Sequence, residues 1–180
     1  PHQSIKHLVE SLRIPHTEIG KLLVTGQPAP LSQILRNGDI VQVYPVEPGA
    51  LDGHQTNAKD HLCQYSDPQS VIDPPSFLLD NHLGKLASHL RMLGFDTLYR
   101  NDFQDEELAT LAQSTGRVLL TRDRGLLMRK QVNAGYCLRS LDPQQQLRAV
   151  IRRYALIDRI QPFRRCMRCN GELEDVAKAD

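Results

Sequence analysis

Two patterns of apolar residues alternate through the second half of the chain: short continuous runs, and segments in which apolar residues are regularly spaced. Short apolar runs at residues 77–79 and 118–120 predict strands that are buried on both faces. Each run is followed by a segment in which apolar residues recur every three or four positions, which predicts a helix. This alternation of strand and helix is typical of an α/β fold with a parallel sheet.

The predicted elements of this half follow one another closely. Gly94 and Gly116 are placed to end two helices, and Asp142 followed by Pro143 is placed to begin another. We therefore expect strands at residues 77–80, 95–99, 117–121 and 135–139, and helices at residues 83–93, 105–115, 124–131 and 143–157.

Residues 1–47 have a pattern of their own. Apolar residues between Ile5 and Leu12 lie on one helical face, and strands are predicted at residues 21–25 and 40–44. This order resembles the latter part of a β-grasp, ubiquitin-like domain of the sulfur-carrier type. Such carriers end in a free Gly-Gly, whereas this last strand continues into Pro45, so we expect a docking or structural role rather than sulfur transfer or conjugation.

The remaining boundaries come from composition. Residues 48–75 are rich in Pro, Gly, Asp, Gln and Ser and have no period, which is typical of a linker. The chain begins with Pro1 rather than Met, so we expect it to be part of a longer gene product. It contains no apolar run of about 20 residues and no secretory signal, so we expect no membrane association and a cytoplasmic location.

Charge is distributed unevenly along the 180 residues. The formal net charge is +1, but residues 1–76 carry 5 Lys and Arg against 8 Asp and Glu, and residues 77–180 carry 17 against 13. Between Arg148 and Arg168 there are seven arginines and one acid, Asp158. A basic segment of this density favours a polyanionic partner such as nucleic acid, although many such segments are only solvated faces.

Acidic residues follow two of the predicted buried strands. Asp80 and Asp123 come just after strand ends, and Asp105 begins a helix between them. Because the carboxyl ends of parallel strands lie along one edge, we expect these three carboxylates to converge. Converging carboxylates repel one another unless a cation is bound, and oxygen-only ligands favour Mg²⁺ or Mn²⁺. The alternative is that Asp80 only caps the following helix.

Basic side chains near these acids are candidates for contacts with a nucleic-acid backbone. They belong to the segments beside the predicted site and to the last predicted helix. The candidates are Lys85, Arg122, Arg124, Arg129, Lys130, Arg148, Arg152 and Arg153.

Four segments resemble one known family. FLLDNHLGKLASHLRMLGFDTLYRNDFQDEELATLA, GRVLLTRDRGLL, DPQQQL and PFRRCMRCNGEL, spread over residues 77–175, are similar to the Mut7-C family of PIN-like RNase domains. The resemblance implies a metal-dependent ribonuclease with acids at the sheet edge. By position these acids are Asp80, Asp105 and Asp123, with Glu106 or Asp142 as a candidate fourth.

Cys166 and Cys169 form a C-x-x-C pair, which in a cytosolic protein indicates metal or redox chemistry. The resemblance implies a zinc ribbon, in which a second C-x-x-C normally completes four ligands. This chain has only one such pair, so we expect a partial ribbon at residues 161–180 and Zn²⁺ binding only in a longer chain. His61 and Cys63 are weak candidates for the missing ligands.

The expected architecture has four parts. It is an α/β protein with a ubiquitin-like β-grasp unit at residues 1–47, a linker at 48–75, a PIN-like parallel sheet with flanking helices at 76–160, and the partial zinc ribbon.

The expected function is Mg²⁺- or Mn²⁺-dependent hydrolysis of RNA. The alternatives are a non-catalytic RNA- or ribosome-associated adaptor, and a toxin-like nuclease held by a protein partner. The ubiquitin-like unit is the expected contact with a ribosome or another protein.

Overall fold

The structure, a computed structural model, describes residues 3–46 and 74–174. His61, Cys63 and residues 48–73 of the predicted linker lie outside these ranges.

The N-terminal unit is a small sheet with one helix. Its elements are α1 (Ile5–Ser11), β1 (Ile19–Val24), β2 (Gln27–Pro28) and β3 (Val41–Pro45). The strands are antiparallel in the order β2-β1-β3. Ile5 and Val9 of α1 pack with Leu22 and Val24 of β1 to form a separate apolar core.

Residues 74–174 are built on a four-stranded parallel sheet. Its strands are β4 (Phe77–Leu79), β5 (Thr97–Tyr99), β6 (Val118–Thr121) and β7 (Gly135–Cys137), in the spatial order β5-β4-β6-β7. All three strand pairs are parallel. The prediction of an α/β fold with a parallel sheet is confirmed.

Two layers of helices cover this sheet, because the central strands present apolar residues to both faces. Phe77 and Leu79 pack with one layer, formed by α2 (Gly84–Met92) and α5 (Pro143–Arg153). Leu78 packs with the other, formed by α3 (Asp105–Thr115) and α4 (Arg124–Leu127).

Two helices are shorter than their apolar patterns predict. The predicted helix at 124–131 is a single turn that ends at Leu127, and the predicted helix at 143–157 ends at Arg153. In the second case Ala155 has a left-handed φ of 48°, which an α-helix does not tolerate. The backbone N–H of Leu156 then bonds to the carbonyl of Ile151, which turns Leu156 back into the core.

Side-chain acceptors cover both edges of the parallel sheet. The backbone N–H of Cys137 in β7 donates to Glu18 Oε1 of the N-terminal unit at 3.0 Å. On the opposite edge, the N–H of Thr97 in β5 donates to Asn170 Oδ1 at 2.9 Å. Each acceptor takes the place of a missing neighbouring strand and satisfies an edge donor.

Candidate active site

A hydroxyl group links two of the predicted acids at the carboxyl ends of β4 and β6. Thr121 Oγ1 donates to Asp80 Oδ2 at 2.7 Å and accepts from the backbone N–H of Asp123 at 2.9 Å. Both bonds use buried atoms of Thr121, which has no exposed surface. The Asp80 side chain is itself buried, with 7% of the residue exposed. The structure therefore brings Asp80 and Asp123 together around one fixed side chain.

The two acids differ in what their carboxylates do. Asp80 precedes a 3₁₀ turn, but its side chain makes no capping hydrogen bond there. Asp123 does cap α4, because its Oδ1 accepts from the N–H of Gly125 at 2.7 Å. The capping explanation of Asp80 is therefore wrong, and its carboxylate is directed at Thr121 instead.

The third predicted acid has a different environment. Asp105 lies in the first turn of α3, is exposed, and forms a 3.8 Å ion pair with Arg129. Within residues 3–46 and 74–174, no group of three or more His, Cys, Asp or Glu side chains is placed to hold a metal ion. The expected convergence of three carboxylates is thus not found in this part of the chain.

The two candidates for a fourth acid lie at helix starts. Glu106 is exposed in the first turn of α3. Asp142 is the N-cap of α5, where its Oδ1 accepts from the N–H of Gln144 at 3.0 Å. Both positions are favourable for an acid because of the helix dipole and free N–H groups.

The residue after Asp80 in the chain, Asn81, carries a buried side-chain oxygen. Its side-chain Oδ1 is buried and has no hydrogen-bond partner among the described residues, while its backbone carbonyl accepts from the Tyr99 hydroxyl at 2.9 Å. A buried oxygen without a partner is uncommon in folded proteins and calls for an explanation, such as an unseen ion or water.

The predicted basic residues fall into two groups. Most of them are exposed at the surface: Lys85, Arg122, Arg124, Lys130, Arg148 and Arg152. Arg129 is partly buried and pairs with Asp105. Arg153 is also partly buried: it donates to the Val46 carbonyl at 3.0 Å and its guanidinium lies 5.1 Å from the centre of the Tyr136 ring. Arg153 therefore joins two parts of the protein, and its contact with RNA stays a prediction.

Cys166 and Cys169 lie in a short hairpin. The N–H of Cys166 donates to the Gly171 carbonyl at 2.8 Å, and Asn170 takes a left-handed φ of 69° at the turn. Backbone N–H groups of Cys169 and Arg168 hold the pKa of the Cys166 thiol below its ordinary value. A thiol with a lowered pKa is a better metal ligand, because the thiolate is the binding form.

A polar network attaches this hairpin at the amino ends of the strands, opposite the acidic edge. Buried Arg91 of α2 donates to the carbonyls of Thr97, Met167 and Arg168 at 2.9, 3.2 and 2.8 Å. Asn170 Nδ2 donates to Asp96 at 2.7 Å.

Asp96 is the anionic centre of the network. It also forms a two-bond ion pair with Arg117, at 2.8 and 2.9 Å. Burial alone would raise the pKa of Asp96, but the hydrogen bonds from Arg117 and Asn170 outweigh that effect and lower it. Sequence reasoning missed this network, although Arg91 follows Ala87 by four positions and so lies on the apolar face of α2, where a charge needs partners.

Comparison with protein families assigns both parts of the chain. The family model of the Mut7-C RNAse domain matches residues 75–180, which is more than half of the sequence. This chain belongs to the Mut7-C RNAse domain family. The Mut7-C ubiquitin model matches residues 1–50, so the N-terminal unit is ubiquitin-like. The comparisons with curated proteins and with solved structures find no match.

In residues 3–46 and 74–174 of this Mut7-C protein, no helix has both the length and the apolar character to cross a bilayer.

Proposed function

We propose that this Mut7-C protein is a metal-dependent ribonuclease with a PIN-like fold, which hydrolyses RNA phosphodiester bonds at the edge marked by Asp80 and Asp123. One observation carries the proposal: at the carboxyl ends of the central strands, the Thr121 hydroxyl binds both the buried Asp80 carboxylate and the backbone N–H of Asp123. Membership of an RNAse domain family supports the same reaction.

The residues around Thr121 suit a hard divalent cation. A buried carboxylate is costly unless an opposite charge or several donors compensate it. The Asp80 and Asp123 side chains offer only oxygen donors, as Mg²⁺ and Mn²⁺ prefer. These cations are commonly held by one or two protein carboxylates, with substrate phosphate among the other ligands, so two acids are sufficient.

Each residue has a separate task in this scheme. A bound cation would supply an activated water and a contact for the scissile phosphate. Asp80 and Asp123 would hold that cation, while the Thr121 hydroxyl orients the Asp80 carboxylate and holds the backbone N–H of Asp123 from inside the sheet. The exposed basic side chains would bind neighbouring phosphates and keep the RNA strand in place.

Incubation of the purified chain with a mixed RNA pool tests this proposal directly. We expect cleavage in Mg²⁺ or Mn²⁺ and none in excess EDTA. RNA that is bound but left intact under every metal condition would overturn the nuclease proposal and favour the RNA- or ribosome-associated adaptor.

Charge reversal on α5 should separate RNA contact from structural contact. Arg152→Glu removes an exposed charge, so we expect weaker RNA binding and a log–log salt slope shallower by about 0.7 for single-stranded RNA. Arg153→Glu should instead lower the free energy of unfolding, because Arg153 bonds to Val46 and stacks on Tyr136. Binding titrations at several salt concentrations, together with urea unfolding, measure both effects; an unchanged slope in Arg152→Glu would show that this face only contacts solvent.

Zinc binding through Cys166 and Cys169 should require chain beyond Asp180. A tight structural zinc site normally has four protein ligands, and the described residues bring only two cysteines together. Metal analysis after dialysis against a mild chelator should find little zinc in the 180-residue chain and one ion in a longer chain. One tightly held zinc in the 180-residue chain would refute this, and His61 and Cys63 would then be the first candidates for the other ligands.

A further inference from the structure

The ubiquitin-like unit contacts the RNAse domain at the edge strand β7. Glu18 Oε1 accepts from the Cys137 N–H at 3.0 Å, and His16 Nε2 lies 2.9 Å from the Val132 carbonyl. Both residues belong to one 3₁₀ turn, His16–Glu18, which contacts β7. The contact therefore replaces a missing strand at that edge.

Strand β7 in turn supports the strand that carries the candidate site. Thr121 and Cys137 are partners in the parallel register of β6 and β7, and the Leu138 N–H donates to the Thr121 carbonyl at 2.8 Å. The Cys137 thiol lies 3.9 Å from the carbonyl of Arg122, the residue between Thr121 and Asp123. Cys137 thus contacts Glu18 on one side and the loop to Asp123 on the other.

The thiol remains a donor in this arrangement. Burial first, and then the negative charge of Glu18, raise the pKa of Cys137 above its ordinary value, although Arg124 opposes them. A protonated thiol donates weakly to a carbonyl, so the thiol and the backbone of β7 hold the same loop.

We propose that the ubiquitin-like unit braces the nuclease site through Glu18, which acts as a positioning residue for Asp80 and Asp123 by way of β7 and Thr121. Strand β7 has only three residues, and a short edge strand opens easily when its outer donors are left to solvent. Opening would release the Thr121 carbonyl from Leu138 and disturb the hydroxyl that binds the Asp80 carboxylate and the Asp123 N–H. The kinetic part of this inference rests on the proposed ribonuclease function.

Two substitutions of Glu18 distinguish an effect of its hydrogen bond to the Cys137 N–H from an effect of its negative charge. Glu18→Ala removes the acceptor of the Cys137 N–H, and Glu18→Gln keeps a carbonyl oxygen at the same place. We expect kcat for RNA cleavage to fall about 10-fold or more in Glu18→Ala, as for other groups that orient metal ligands, with little change in KM. Glu18→Gln should recover most of the loss.

Amide hydrogen exchange in the full chain gives a readout that needs no RNA. The Asp123 N–H, which donates to Thr121 Oγ1, and the Leu138 N–H should both exchange faster in Glu18→Ala and at the wild-type rate in Glu18→Gln. Glu172→Ala, which removes an ion pair with Arg165 in the hairpin of Cys166 and Cys169, is the matched control and should change neither amide.

The possible failures are distinct. If the Asp123 amide of Glu18→Ala exchanges at the wild-type rate, the proposed positioning role of Glu18 is wrong. An equal loss of kcat in the Ala and Gln variants would also contradict it. A wild-type protein that cleaves no RNA overturns the ribonuclease proposal, and the exchange rates still decide whether Glu18 supports the loop.

Discussion

Asp80→Asn is expected to abolish RNA cleavage while the protein stays folded. The amide keeps an oxygen that can accept from the Thr121 hydroxyl, so the packing around this buried side chain is preserved. It loses the negative charge that a divalent cation requires of its ligand. We expect kcat to fall by more than about 100-fold, the upper end of the loss seen when a group that only supports a metal ligand is removed.

Asp123→Asn should give a loss of the same kind, because its Oδ1 can still accept from the Gly125 N–H and cap α4. Single-turnover cleavage in saturating Mn²⁺, with circular dichroism and urea unfolding for each variant, measures activity and folding separately. Asp39→Asn is the matched control: Asp39 also accepts from a backbone N–H, that of Arg36 at 2.8 Å, but lies in the ubiquitin-like unit. A folded Asp80→Asn protein that cleaves RNA at the wild-type rate would contradict the assignment of this site.

Arg91→Met is expected to cause a large loss of stability at the other end of the sheet. Arg91 is 4% exposed and its guanidinium satisfies three backbone carbonyls. Methionine fills a similar volume but leaves these acceptors without their charged donor. We expect the free energy of unfolding to fall by about 3 kcal/mol, within the range for loss of hydrogen bonds to a buried charged group.

The same substitution should loosen the hairpin that holds the two cysteines. Arg91 connects α2 to the carbonyls of Met167 and Arg168, so its loss removes a main attachment of the hairpin to the sheet. Thiol labelling under native conditions should become faster at Cys166 and Cys169, and urea unfolding gives the stability change. Arg152→Met, at an exposed position of α5, should change stability by no more than about 0.5 kcal/mol. A loss below 1 kcal/mol in Arg91→Met would mean that the network is solvated rather than structural.

The sequence by itself determined the elements and their order. Apolar runs of three or four residues can be buried only between two layers, so the strands at 77–80 and 117–121 were predictable as central strands of a parallel sheet. Helix signals were equally local: Gly116 ends α3 with a left-handed φ of 66°, and Asp142 caps α5. Such features depend on neighbours within a few residues, which the sequence contains in full.

Which of the acids lie together was decided only in three dimensions. Asp80, Asp105 and Asp123 look alike in sequence, since each stands where a strand gives way to a helix or a helix begins. The register of β4 with β6 places Asp80 next to Thr121, whereas Asp105 faces Arg129, which comes from a distant part of the chain. No local pattern encodes such a pairing, because it depends on how strands align across the sheet.

The surroundings of the arginines were likewise decided by tertiary contacts. A helical period shows that Arg152 and Arg153 lie off the apolar face of α5, but it does not show what approaches that side. In the folded protein the Val46 carbonyl and the Tyr136 ring cover Arg153 and leave Arg152 exposed. Arg91 was buried by the hairpin at residues 164–173, some 70 residues away along the chain. Charges far apart in sequence gain their partners only through tertiary contacts, and these contacts decide whether a basic side chain stays exposed or stabilises the fold.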